Sequence, residues 1–110
     1  MAVVRVTGLP AGPLDAAAAF HAEWLPRIRA AIGSDESTVL AFAQAEHSHR
    51  GWRLAAVQEL ARAHAPQRVN AVAGDSEAAI ASALALLDNC QGITGQLLAL
   101  DAAGMVTDPA

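Results

Sequence analysis

Four short apolar runs punctuate this chain: VVRVT at 3–7, STVLAFA at 37–43, VNAVA at 69–73 and QLLAL at 96–100. Between them lie longer stretches in which apolar residues recur at helical spacing. Runs that are apolar almost throughout, rather than alternating with polar residues, suit strands covered on both faces. Strands that alternate with helices assemble as β-α-β units, and right-handed crossovers make their sheet parallel. The expected order is β-α-β-α-β-α-β. The expected class is α/β: three layers, with a four-stranded parallel sheet and helices on both faces, half of a doubly wound sheet.

The helical stretches give the expected inner faces. Leu14, Ala18, His21, Leu25, Ile28 and Ile32 form the first stripe, with Gly33 as its stop. Pro26 lies inside that helix and should kink or divide it, because it lacks an N–H and crowds the preceding turn. The polar segment QAEHSHRG leads into a helix over about 51–64, with Leu54, Val57, Leu60 and Ala61 inward. Asp75 can cap the next helix, whose buried stripe is Ile80, Ala83, Leu84 and Leu87. The stretch DNCQGITG then turns the chain into the last strand.

A chain of 110 residues is expected to make one compact domain over 1–110, with no room for a separate catalytic domain. Its core is Ala-rich and low in aromatics, and Ala favours helices while filling little volume. Part of the Leu, Val and Ile surface is therefore expected to meet a second subunit, as a homo-oligomer. The formal charge is −4 and the seven Arg are scattered, which argues against a nucleic-acid partner. The apolar start is broken by Arg5, Gly8 and Pro10, and AAIASALALL is too short to cross a bilayer, so no membrane association is expected. Cys90 is the single cysteine and suits a reducing compartment. A cytoplasmic protein is the expectation.

The most reactive-looking stretch is AEHSHR, 45–50. Glu46, His47 and His49 are the candidate catalytic residues: His exchanges a proton near neutral pH, and a carboxylate can orient it or act as base. Arg50 is the candidate ligand-binding residue, a permanent cation suited to a carboxylated metabolite. The bland alternative is a solvated loop at the carboxyl end of a strand, and that edge is where ligands collect in open α/β sheets. The same residues offer imidazole and carboxylate to a metal, but H-x-H lacks the i,i+4 geometry of a helical zinc site and no fourth ligand is evident, so no metal is assigned. Ser48 beside His49 has no visible oxyanion hole and is a poor nucleophile. His21 reads as a satisfied core or interface residue, and Cys90 as a small half-buried side chain. Trp24 and Trp52 fall on or beside the first two helices; a largely exposed one would mark contact with another subunit.

Three blocks carry a more specific resemblance. WLPRIRAAIGSDESTVLAFAQAE is similar to the helix and strand ahead of the active site in short-chain dehydrogenases/reductases. ARAHAPQRVNAVAGD resembles their segment ending R-V-N-A-V-A-P-G, with Gly74 present and the Pro missing. GITGQLLALDAAG resembles their last strand, I-T-G-Q-x-L-x-V-D-G-G, with Ala102 and Ala103 where Gly is usual. The blocks stand in the family's order and cover nearly the whole chain after residue 14. The resemblance implies a Rossmann-like half-fold, a truncated and degenerate member matching the C-terminal half of the family's domain.

It also implies what chemistry is lost. The family transfers hydride with the help of a Tyr and a Lys one helical turn apart, and a Ser. This sequence contains neither Tyr nor Lys. Counting back from Pro66 puts Glu46 and Arg50 at the two positions; a shifted gap gives Arg50 and Leu54, and the Ser position falls near Ala43. Arg is a poor proton donor near neutral pH. GLPAG at 8–12 is neither G-x-x-x-G-x-G nor G-x-G-x-x-G, so Gly8 and Gly12 read as turn residues and no nicotinamide cofactor is expected. By resemblance Asp101 ties the last strand to a neighbouring loop, and Arg68 and Asn70 read as scaffold. The family's helices corresponding to 14–32 and 51–64 make one oligomer contact, and its last helix and strand make the other. The expected function is that of a non-catalytic relative acting through oligomerisation or partner binding, a full-length reductase being one such partner. The alternatives are a small cofactor-independent enzyme using the Glu/His site on a small metabolite, and a small-ligand carrier.

Overall fold

The apolar runs lie side by side. In a computed structural model, which describes residues 1–33 and 35–101, β1 (Ala2–Val6), β2 (Ser37–Phe42), β3 (Arg68–Ala73) and β4 (Leu97–Ala99) form one sheet in that order. All three pairings are parallel, so that Val4, Leu40, Ala71 and Leu97 stand in one row across the sheet. Every residue of β2 is buried. This is why its sequence does not alternate: neither face of the strand meets water.

Helices cover both faces, as the sequence predicts. On one side lie α1 (Pro13–Ala19), α2 (Leu25–Ile32) and α3 (Arg50–His64); on the other lies α4 (Glu77–Asn89). The first layer packs Phe20, Ile28, Ile32, Val57 and Leu60 against Leu40, Phe42, Val69 and Leu97. The second packs Ile80, Ala83 and Leu87 against Val39, Ala41 and Val72. An aromatic knot fills the space that small Ala side chains leave: the Phe20 ring lies 5.8 Å from Phe42 and 5.3 Å from Trp52, centre to centre. Among the described residues no helix is long and apolar enough to cross a membrane.

The first helical stretch departs from expectation at its amino end. A π-helical turn, Phe20–Trp24, joins α1 to α2, with Leu25 N–H donating to Phe20 O. The wider turn receives Pro26 in the first turn of α2, where a missing N–H costs nothing. It also adds a residue to the helix, so the buried stripe shifts phase. Ala16 and Phe20 are the inward residues there, while Leu14 is 84% exposed and His21 is exposed, its Nδ1 2.7 Å from Ala17 O. His21 is therefore not a core residue, and Leu14 is not on the inner face.

Two smaller corrections concern caps and tryptophans. Ser76, not Asp75, caps α4: its hydroxyl accepts from Ala79 N–H at 3.2 Å. Asp75 turns the other way and accepts from Gln44 N–H at 3.0 Å. Both Trp24 and Trp52 are half-buried rather than exposed. Asn70 is wholly buried on β3 and ties that strand to the turn before β4, donating to Ile93 O and accepting from Gln96 N–H, each at 3.0 Å. Arg68 Nη1 donates to Leu87 O and Cys90 O at the carboxyl end of α4, a scaffold contact.

Candidate functional site

The carboxyl ends of β2, β3 and β4 meet the start of α3, and a segment over 43–46 runs between them. Gln44 fastens this segment: its N–H donates to Asp75, and its Nε2 donates to Leu100 O at 2.6 Å. A 3-10 turn, His47–His49, then leads into α3, where the polar stretch had been expected to remain a loop. One cleft of about 210 Å³ opens beside the segment, with Glu46, His47, His49, Arg50 and Arg53 on one side and apolar Leu97 on the other. A second, of about 370 Å³, lies between the segment and the turn around Gly8, whose φ of +72° favours glycine.

The four residues singled out in the sequence thus border one cleft, but their circumstances differ. Glu46 and His47 are exposed, Arg50 is half-buried and already engaged, and His49 is buried. Both ring nitrogens of His49 are occupied. Trp52 Nε1–H donates to Nδ1 at 3.1 Å, which requires that nitrogen to be bare; Nε2 then carries the proton and donates to Ala11 O at 2.8 Å. The imidazole thereby joins the loop before α1 to the aromatic knot. Glu46 contributes its backbone oxygen to His49 N–H and makes no side-chain cap. Among the described residues no hydrogen bond links its carboxylate to either imidazole, and no three His, Cys, Asp or Glu side chains gather as metal ligands would. Ser48 is exposed and Cys90 half-buried.

The cleft's least expected member is Arg53. It is only 7% exposed. Nη1–H donates to Ala43 O at 2.9 Å, and the guanidinium carbon sits 4.4 Å above the Phe42 ring and 5.8 Å from that of Trp52. Nε is enclosed and meets no acceptor. Burial pushes the guanidinium below its ordinary pKa. The signal was present in the spacing: 53, 56, 57, 60 and 61 share one face of α3. Reading the face by apolar character placed Leu54 inward instead, and Leu54 is half-buried.

A separate groove of about 400 Å³ runs between the π turn, α2 and α3 on the outer side of the helical layer. Its walls include Leu25, Trp52, Ala55, Leu60 and Ala63.

A family model described as SDR-like, short chain dehydrogenase-like protein, matches residues 4–100, from β1 to just beyond β4. The chain belongs to the short chain dehydrogenase-like family. No curated protein and no solved structure matches it. Within this short chain dehydrogenase-like domain, RVNAVAG forms β3 and its exit, while ITGQLLAL forms the turn into β4 and the strand itself. Ala102 and Ala103 lie outside the described residues. Of the residues that counting back from Pro66 offers for the reductase Tyr and Lys, Glu46 is exposed and Arg50 and Leu54 are half-buried; Ala43, near the Ser position by the same count, presents its carbonyl to Arg53.

Proposed function

We propose that this short chain dehydrogenase-like chain acts by association rather than hydride transfer, pairing with a second copy of itself across the groove between α2 and α3. The observation that carries the reading is the groove: an open channel of about 400 Å³ walled by Leu25, Trp52 and Leu60. Ala55 and Ala63 are exposed on α3 beside it, and their small side chains let another helix approach closely. The chemistry agrees, since a sequence with no Tyr and no Lys has no Tyr/Lys relay to offer. A full-length reductase relative is the other occupant this groove would suit, and the lone Cys90 fits a cytoplasmic protein.

Sedimentation velocity tests the pairing. The chain is expected to sediment as a dimer at high micromolar concentration, and Ala63→Glu, which adds a charge at an exposed position, as a folded monomer. A chain that remains monomeric throughout refutes self-association; recovery of a stable complex with a full-length reductase from native extract would favour the heteromer.

A second reading keeps the cleft as an acid–base site, because Glu46, His47, His49 and Arg50 border it together. It is the weaker of the two, since His49 spends both nitrogens on the scaffold and leaves the exposed His47 as the base. Its test is His47→Ala: turnover of a small metabolite by the chain, lost in the variant, would favour it.

A further inference from the structure

A buried cation with no counter-ion is a costly object. A guanidinium keeps its charge when buried, so the penalty of desolvation must be offset by partners. Arg53 has few. One of its N–H groups meets Ala43 O, Phe42 and Trp52 offer ring faces, and no carboxylate of the described residues pairs with it. The side chain nonetheless borders both clefts at the carboxyl edge of the sheet.

We infer that Arg53 anchors a small carboxylate ligand in the cleft between the 43–46 segment and β4. The carboxylate takes a pair of N–H groups from the planar guanidinium fork, and the ligand's apolar body lies against Ala73, Leu97 and Ala99. The cleft's volume of about 210 Å³ limits that body to a short chain or one ring. Glu46 also borders the cleft, but its exposed carboxylate is screened by water, whereas Arg53 acts from a buried position where charge is felt more strongly. The hydrogen bonds of Gln44 to Leu100 O and of Arg53 to Ala43 O hold the segment at two adjacent residues, so the cleft is formed before the ligand arrives. This site stands apart from the α2/α3 groove, and neither proposal depends on the other.

Calorimetric titration of the intact chain with hexanoate, hexanamide and inorganic phosphate tests the inference without any variant. Hexanoate should bind saturably, and hexanamide, the neutral isostere, at least about tenfold more weakly. Arg53→Met keeps the stem and removes the charge, and should reduce hexanoate affinity by at least about tenfold. Arg53→Lys, which keeps charge without the fork, should fall between. Circular dichroism of each variant establishes that it is folded, and the comparison of the two wild-type ligands stands if one is not. Equal affinity for hexanoate and hexanamide, saturation by phosphate alone, or undiminished hexanoate binding by folded Arg53→Met would overturn the proposal.

Discussion

At the scale of single residues, the decisive positions are polar groups taken out of water. Asn70 is wholly buried and joins β3 to the turn ahead of β4 through both ends of its amide. Replacing it with Leu would strand Ile93 O and Gln96 N–H, so Asn70→Leu should destabilise the domain by about 2–4 kcal/mol. Urea unfolding measures this, and a change below about 0.5 kcal/mol would mean the amide is dispensable. Asn70 was legible as a scaffold residue because the motif around it is specific. Arg53 was not, because a charged side chain on an inner helical face looks like an error of phase until its partners are seen. His49 was legible as a member of the edge but not as a tie, since Ala11 and Trp52 meet it only through the fold.

At the scale of elements, capping separates two neighbouring side chains, Ser76 and Asp75, of which the sequence suggested only Asp75 as the cap of α4. Ser76 holds the first turn of α4, while Asp75 holds the 43–46 segment. Ser76→Ala should therefore cost about 1 kcal/mol, the usual loss for a helix cap. Asp75→Ala should cost less, because the N–H it leaves is exposed and water replaces the carboxylate. Thermal unfolding of the two variants orders them, and the reverse order would return the cap to Asp75. The four strands and the three helical stretches between them were readable from apolar runs and periodicity. The π turn was not: Pro26 announced a disturbance, but only the geometry shows that the helix absorbs it by widening. One added residue then moves Leu14 and His21 outward and brings Ala16 and Phe20 inward.

At the scale of the whole molecule, the sheet leaves two surfaces with different offers. The helical face presents a groove of about 400 Å³ in which Leu25, Trp52 and Leu60 stand beside Arg29 and Glu59, with exposed Ala55 and Ala63 next to them. The carboxyl edge presents a polar cleft over a buried cation. The parallel sheet and its two covered faces were legible because buried strands and helical stripes follow directly from solvent exclusion. The two surfaces were less so, since both depend on which residues a three-dimensional edge brings together. Association through the groove and exclusion of a nicotinamide cofactor form the core of the functional account. Native mass spectrometry of protein purified from its source, followed by titration with NADPH, addresses both at once. The account predicts a two-chain species without bound dinucleotide and no saturable NADPH binding below about millimolar concentration. A single chain carrying a tightly held dinucleotide would contradict it.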